Sequence, residues 1–274
     1  MKIDLKPIKK NTASIVFTAT LKEATKAEDH AVSHMGKDVQ IKGFRKGKAP
    51  INLVKDSLDP VKIREHAINT LLQEELPKAI KTNKLDIIGN PQLAKIETPK
   101  DKGWILTIDL PLMPQVNLGK YDTKVKTALK KEGKKLKEFN QKVNLICDTL
   151  IKEASLEVPE SLIQAEIQKS LSRLIDQTQT LGVTVEQYLT SVGKTLEQVK
   201  AEYQKQAEDS LKLEFILLEI AKKKKVAVTD AEALEFINAT GDIKTKEALS
   251  DPHQLPYIKT ILVKRKAIDV LIGK

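Results

Sequence analysis

Residues 41–50 read IKGFRKGKAP and combine two glycines, four cations and one phenylalanine. Glycine tolerates backbone angles that other residues avoid, so Gly43 and Gly47 let the chain turn sharply, while Pro50 fixes its exit direction. Such a composition suits neither the interior of a helix nor that of a strand. It predicts an exposed loop with Phe44, Arg45 and neighbouring cations at its tip.

Regular structure is predicted before this loop. Residues 1–20 alternate apolar and polar side chains in the manner of two half-buried strands, with a hairpin turn near 9–11. Ile3 and Leu5 of the first strand and Ile15 and Phe17 of the second are expected on one face. A helix over about 21–39 should then lead into the loop.

Regular structure also follows the loop. Asp59 and Pro60 have the order of an N-cap and a first-turn proline, so they predict the start of a helix that Pro77 should kink or end. Two strands are expected at about 92–97 and 104–110, with PKDKG as the turn between them. The first half of the chain is therefore predicted to be α+β.

From about residue 130 onward, apolar residues recur with the period of an α-helix, which predicts an all-α half. One apolar stripe runs from Leu136 to Ala154 and includes Phe139 and Cys147; a second lies within 162–175, and further helices are expected over 195–225 and 256–272. Three helix starts carry the capping-box spacing, at Thr184 and Gln187, Thr195 and Gln198, and Thr229 and Glu232.

Between the halves lies GKYDTKVKTALKKEGKKLK, which we interpret as too polar to contribute to a core. The expected organisation is an α+β domain at 1–116, a basic boundary segment at 117–135 and a helical domain at 136–274.

Charge and cysteine content indicate the setting. The formal net charge is +10, and the first 121 residues hold 21 Lys and Arg against 14 Asp and Glu, which favours an anionic partner over a merely soluble basic surface. A single cysteine excludes an intramolecular disulfide. The start lacks the apolar core of an export signal, and no run approaches a membrane span, so we expect a cytoplasmic protein without membrane contact.

Candidate enzyme sites are weak. Gly43 and Gly47 are one residue too close for a phosphate-binding loop, and Ala49 stands where that loop needs a hydroxyl. His30 and His34 have a zinc-ligand spacing without a third ligand, so solvated histidines are favoured.

Three further candidates have structural explanations. Cys147 lies on an apolar stripe and reads as a small core residue, and adjacent Glu74 and Glu75 point to different sides of a helix. The run Lys222–Lys225 ends a helix, where cations complement the helix dipole. We therefore predict no catalytic residue, no metal and no cofactor.

The physical chemistry of the loop leaves two interpretations open. Phe44 can bury its ring in a partner while Arg45 pairs with a carboxylate or phosphate and Lys46 and Lys48 add positive charge. Alternatively, Phe44 folds back into its own core and the cations face water.

A family resemblance favours the first interpretation. GFRKGKAP, Gly43 to Pro50, resembles the ribosome-binding loop of trigger factor, the bacterial chaperone at the exit of the large subunit's peptide tunnel. The order of strands and helices through Val116 is similar to that family's N-terminal domain, and ASLEVPESLIQAEIQKSLSRLI resembles the opening of its helical C-terminal domain.

The sequence departs from the family in one respect. Most trigger factors carry an FKBP-like prolyl isomerase of roughly a hundred residues between those domains, the size of an ordinary small domain. Here Val116 to Leu136 is far shorter and contains only one aromatic, Tyr121. The chain is similar to a short form without the isomerase, so it is not expected to be an enzyme.

The resemblance implies that Phe44, Arg45 and Lys46 dock on the ribosomal protein beside the tunnel exit and on rRNA, while Gly43 and Gly47 shape the loop. It also implies a C-terminal domain with helical arms that holds nascent chains without ATP, and a family that can dimerise off the ribosome. Residues that could line such a cradle, or instead form plain interhelix core, are Leu162, Leu171, Leu181, Ile216, Leu217 and Ile220. Two alternatives stay open: a ribosome- or RNA-binding factor without chaperone action, and a prolyl isomerase as the family label suggests.

Overall fold

The computed structural model describes residues 1–99, 103–132, 136, 138–239, 251 and 254–273. The chain divides into two compact units, Met1–Met113 and Pro114–Lys274. The first contains strands and helices and the second is helical, as predicted. The middle of the predicted PKDKG turn, 100–102, lies outside the described residues.

The first unit is a four-stranded antiparallel sheet, in the order β1-β2-β4-β3, packed against helices. Its elements are β1 Lys2–Leu5, β2 Thr12–Ala19, α1 Leu21–Met35, α2 Ile51–Ser57, α3 Pro60–Thr82, β3 Gln92–Glu97 and β4 Trp104–Pro111. The predicted strands are therefore confirmed. The short α2 was not predicted from hydrophobic periodicity.

The hairpin between β1 and β2 forms where it was predicted. Lys10 and Asn11 have positive φ of 46° and 51°, and Lys9 and Thr12 exchange both backbone hydrogen bonds, at 2.8 and 3.1 Å. This is the geometry of a two-residue type I′ turn, whose twist matches that of the strands.

The core of the first unit follows from strand alternation. Ile15 pairs with Ile108 and Phe17 with Leu106 across β2 and β4, and all four side chains are buried. Helices α1 and α3 cover this face with small and aliphatic side chains, namely Ala24, Ala31, Val32, Ile63, Ala67 and Ile68. The sheet and these helices form the rigid base from which the loop at 41–50 extends.

Helix α1 ends at Met35, four residues before the predicted end. Gly36 donates its N–H to the Val32 carbonyl at 2.8 Å, and the chain then turns. A side chain at Gly36 would collide with Val54 of α2, because a Cβ there would lie 2.7 Å from a Val54 methyl carbon. Helix α1 therefore ends at the position where α2 packs against Gly36.

Helix α3 begins as predicted, with the Asp59 carboxylate accepting from the Val61 N–H at 2.9 Å and Pro60 in the first turn. Contrary to one of the two outcomes predicted for Pro77, the helix does not end there but continues to Thr82. Ala79, two residues beyond the proline, is buried in the core and Ile80 packs against it, so the turn after Pro77 keeps apolar contacts with the first unit.

The second unit contains helices throughout its described residues: α4 Tyr121–Lys131, α5 Phe139–Glu153, α6 Glu160–Thr180, α7 Val185–Ser191, α8 Leu196–Lys223, α9 Asp230–Asn238 and α10 Leu255–Ile272. The three predicted capping boxes, at Thr184, Thr195 and Thr229, all form. A fourth, at Thr20 and Glu23, forms at the start of α1 and was not predicted.

Helix α4 corrects the interpretation of 117–135 as too polar for a core. Tyr121 and Val125 are 4% and 1% exposed and pack with Ile146 of α5 and Ile216 of α8. The lysines of this segment that the structure describes lie at the surface, so a strongly basic composition concealed a short apolar stripe. Residues 133–135 of the segment lie outside the described residues.

Among the described residues, no helix combines the length and apolar character that crossing a bilayer requires.

Candidate functional site

The loop between α1 and α2 starts its protruding part with a tight turn at Ile41–Phe44. The Phe44 N–H donates to the Ile41 carbonyl at 3.0 Å, and Gly43, in the third position, has φ of 89°. A positive φ there is what a type II β-turn requires, which is why glycine is needed. The Gln40 side-chain amide donates to the Phe44 carbonyl at 2.8 Å and braces the turn from outside.

A second turn follows immediately. The Lys48 N–H donates to the Arg45 carbonyl at 2.9 Å, and Gly47, again in the third position, has φ of 71°. Two consecutive turns with the same glycine position therefore set the path of the loop. The positions of Gly43 and Gly47 in the sequence therefore determine where the two turns form.

Phe44 is exposed. Its side chain is 37% accessible, and it belongs neither to the buried core of the first unit nor to the half-buried residues packed against it. The interpretation in which Phe44 folds into its own core is therefore wrong. An exposed aromatic on a braced turn can be buried by a partner at a low cost in conformational entropy.

The cations of the loop are also exposed. Arg45, Lys46 and Lys48 face solvent, and the Lys46 ammonium group lies 3.1 Å from an Asp38 carboxylate oxygen. This ion pair is open to water on both sides, so it contributes at most about 1 kcal/mol and does not prevent Lys46 from binding elsewhere. The loop tip thus presents a guanidinium and two ammonium groups beside an aromatic ring.

Two exposed apolar residues after the loop were missed by sequence reasoning. Ile51 and Leu53 of α2 are 46% and 43% exposed, while Val54 of the same helix is buried. In the sequence INLV, apolar residues fall on more than one side of a short helix, and only the core-facing one can be covered. This pattern in the sequence could have predicted that apolar residues of α2 are exposed.

The histidine pair suggested by spacing is not the pair that the structure brings together. His30 and His34 are both exposed, in agreement with the prediction, and the His34 ring contacts His66 of α3, with ring centroids 5.1 Å apart. Within the described residues, no group of three or more His, Cys, Asp or Glu side chains is placed to hold a metal ion.

The other chemical candidates have structural roles. Glu75 pairs with Lys78 one helical turn away, at 2.8 Å. Cys147 is half-buried on α5; burial, and after it the Asp148 carboxylate, raises the pKa of its thiol. A raised thiol pKa opposes nucleophilic chemistry at neutral pH.

The part of the helical unit that the structure describes exposes apolar side chains on at least two surfaces. Of the suggested cradle residues, Ile216, Leu217 and Ile220 are buried between helices, Leu162 and Leu171 are half-buried, and Leu181 is 68% exposed. Leu181 is one of four exposed apolar residues in the turns before and after α7, which we call the α7-turn residues; the others are Val183, Val192 and Leu196.

The second apolar surface is a groove of about 440 Å³ between α5, α8 and α10. Its apolar lining includes Val143, Leu213 and Ile261, and an ion pair between Lys264 and Glu214, at 2.7 Å, lies on it.

Comparison with protein families gives two matches. Residues 1–145 match the family described as bacterial trigger factor protein, and residues 117–273 match the family described as its C-terminus. The two matched segments overlap, so no FKBP-type domain stands between them, and none was matched.

Individual relatives are distant. The trigger factor of Clostridium botulinum is 29% identical over 154 residues, which are 53% of this chain and 36% of that protein. The trigger factor of Clostridium tetani is 29% identical over 121 residues, 44% of this chain and 28% of that protein. The aligned part therefore spans about a third of the length of these relatives.

One solved structure matches the whole chain. It is a trigger factor chaperone structure, concerned with promiscuous substrate recognition in folding and assembly, with a TM-score of 0.72, 15% identity and full coverage of both chains. At that identity the likeness shows a common fold.

Proposed function

The chain belongs to the bacterial trigger factor family, in a short form without an FKBP domain, and from this premise we propose that it is an ATP-independent cytoplasmic chaperone. In this proposal the first unit docks beside the peptide exit of the large ribosomal subunit, and the helical unit shields nascent chains from misfolding and aggregation. We assign these roles to 1–116 and 136–274.

The observation that carries the docking proposal is the exposure of Phe44 between two glycine turns. Its ring would fill an apolar site on the ribosomal protein at the exit, and Arg45 would pair with an acidic side chain or an rRNA phosphate. Lys46 and Lys48 add positive charge that speeds encounter with an anionic surface. Truncating Phe44 or Arg45 should each weaken docking by about 1–3 kcal/mol.

Client holding is assigned to the two apolar surfaces of the helical unit. The α7-turn residues are exposed although they are apolar, and the groove between α5, α8 and α10 is open. Two separated weak sites engage one flexible chain through effective concentration and release it quickly. Such exchange would not require ATP hydrolysis.

Ribosome cosedimentation tests the docking proposal. The chain carrying Phe44→Ala, Arg45→Ala and Lys46→Ala should lose most of its association with large subunits, whereas Lys78→Ala, Lys81→Ala and Asn69→Ala on α3 should not. Unaltered cosedimentation of the loop variant would refute the proposed site.

Suppression of aggregation tests the chaperone proposal against a factor that only binds ribosomes. The full chain should keep a denatured client soluble, and Leu181→Ser with Leu196→Ser should weaken this while leaving ribosome association intact. A chain that binds ribosomes but does not affect aggregation would favour a ribosome-binding factor without chaperone action.

A prolyl-peptide isomerisation assay tests the second alternative. It should give only the uncatalysed background rate, because no isomerase domain separates the two matched segments.

A further inference from the structure

Two runs of lysines that are distant in sequence meet on the surface of the helical unit. Residues 120–132 contain five lysines and 222–225 contain four, with only Asp122 and Glu132 as acidic residues in the two segments. All nine lysines are exposed. We call this surface the lysine patch.

The contacts that join the two segments are specific. The Asp122 carboxylate accepts from Lys126 of α4 at 2.7 Å and from Lys224, the residue after α8, at 3.2 Å. The Lys223 ammonium group lies 5.5 Å from the centre of the Tyr121 ring, whose buried position fixes it. One carboxylate therefore holds two ammonium groups, and the Glu153 carboxylate of α5, which accepts from the Lys120 backbone N–H at 2.9 Å, adds a second negative charge beside the nine lysines.

The helix dipole accounts for only part of this charge. Cations at the C-terminal end of a helix are stabilised by its partial negative charge, which explains Lys222 and Lys223 of α8 and Lys130 and Lys131 of α4. Lys120, however, is the N-cap of α4 and Lys124 lies in the next turn, where the dipole disfavours a cation. Within the described residues, Lys126 and Lys224 are the members of the patch that form ion pairs.

We propose that the lysine patch binds the phosphate backbone of double-helical RNA, independently of sequence. Backbone binding needs exposed cations that replace condensed counterions, and the patch supplies them from two elements held in register by Asp122. This site is separate from the loop at 41–50 and does not depend on the proposed docking there.

The composition of the patch favours RNA over a protein or a membrane. None of the described large apolar side chains with high exposure lies in 120–132 or 222–225. Protein interfaces and membrane-bound helices need such apolar anchors, whereas phosphate contacts do not. The patch aromatic, Tyr121, is buried and cannot stack on an unpaired base, which favours a duplex over a single strand.

The test measures binding of the full chain to a fluorescein-labelled RNA duplex of about 20 base pairs, by anisotropy, between about 50 and 200 mM salt. The patch variant carries Lys124→Gln, Lys130→Gln, Lys131→Gln and Lys222→Gln, none of which breaks the Asp122 ion pairs. The matched control carries the same number of changes at exposed lysines outside the two segments that, like the four patch lysines, form no ion pair within the described part of the chain: Lys62→Gln, Lys81→Gln, Lys200→Gln and Lys205→Gln.

The native chain should bind, and the slope of log K against log salt should fall by about 3 in the patch variant, with at least about tenfold weaker binding at the lowest salt. The control should change both quantities far less. Equal losses in the two variants, or no binding by the native chain, would overturn the proposal.

Two further arms separate this site from its alternatives. Binding to vesicles containing phosphatidylglycerol should fall no more in the patch variant than in the control, which loses the same charge, and a loss of vesicle binding confined to the patch variant without a loss of RNA binding would assign the patch to a membrane surface instead. Phe44→Ala should weaken ribosome docking by about 5–150-fold, and because it changes no charge it should leave the salt slope on duplex RNA intact. The two proposals can therefore fail independently.

Discussion

Gly47 lies directly against the backbone of Lys37: a Cβ on Gly47 would be 3.1 Å from the Lys37 carbonyl oxygen. Gly43, in the equivalent position of the preceding turn, has no atom within 4 Å of its virtual Cβ. Both residues have positive φ, but at Gly47 a side chain would in addition press against the Lys37 backbone. The two glycines of the loop are therefore constrained by different physics.

Asparagine should separate these two constraints. It adopts positive φ more readily than other residues with a side chain, so Gly43→Asn should dock on ribosomes almost as well as the native chain. Gly47→Asn must still displace the Lys37 carbonyl, and we expect docking about 5–30-fold weaker, or about 1–2 kcal/mol. Cosedimentation measures this, with Trp104 fluorescence melts to show that both variants remain folded.

Equal docking by Gly43→Asn and Gly47→Asn would contradict this difference. Gly43→Ala provides a second control. A Cβ at this position meets no other atom, so alanine costs only the backbone strain of positive φ, about 1–2 kcal/mol.

Local features of the fold were predictable from sequence. Strand alternation placed Ile15 and Phe17 in the core, and the capping boxes at Thr184, Thr195 and Thr229 form because their hydrogen bonds involve only residues three positions apart. The glycine spacing of the loop likewise predicted turns. These signals need no knowledge of distant residues.

The sequence predictions were wrong where contacts between distant residues determine the structure. The early end of α1 coincides with the packing of Val54 against Gly36, and the continuation of α3 past Pro77 depends on the buried Ala79. Helix α4 looked like a linker because Tyr121 and Val125 are two apolar residues among many lysines. The spacing of Ile51 and Leu53 indicates that not all apolar residues of α2 can be buried. Which of them are exposed depends on the face of α2 that packs on the core.

Gly103 should be the least replaceable glycine in the first unit. It has φ of 82°, and a Cβ there would overlap the Ala19 carbonyl and lie 2.7 Å from the Leu21 nitrogen. Because these are backbone atoms at the junction of β2 and α1, Gly103→Ala should lower the free energy of unfolding by about 3 kcal/mol or more. Urea unfolding followed by Trp104 fluorescence measures this.

Gly182 supplies the control for that experiment. Its φ of 69° is also positive, but no atom lies within 4 Å of its virtual Cβ. Gly182→Ala, followed by circular dichroism, should therefore cost only the backbone strain, about 1–2 kcal/mol. Similar losses for both variants would show that the close approach at Gly103 can relax.

The Asp122 ion pairs should make the helical unit lose stability in acid. The Lys126 ammonium group, and then that of Lys224, holds the pKa of the Asp122 carboxyl below its usual value. A pKa that is lower in the folded state stabilises the fold above the unfolded carboxyl pKa of about 3.9, and this contribution is lost as pH falls below it. Asp122→Asn should therefore destabilise at pH 7 and matter less near pH 3.

Urea unfolding by circular dichroism at the two pH values measures that difference. The effect should stay below about 1 kcal/mol, because the carboxylate is more than a third exposed and solvent screens the pairs. Lys126→Gln should reproduce most of it, since Lys126 is the larger cause of the lowered pKa. A penalty for Asp122→Asn that is as large near pH 3 as at pH 7 would rule out this linkage.

Cys147 should react slowly with thiol reagents in the native chain. Burial on α5 raises the pKa of the thiol, and the Asp148 carboxylate adds to the shift by opposing the thiolate. Because the thiolate is the reactive form, disulfide exchange with Ellman's reagent at pH 7 should be at least about tenfold slower than in urea. The chain has one cysteine, so absorbance reports this site alone. Asp148→Asn should speed the native reaction modestly, whereas a native rate equal to that in urea would mean that Cys147 is not protected by the fold.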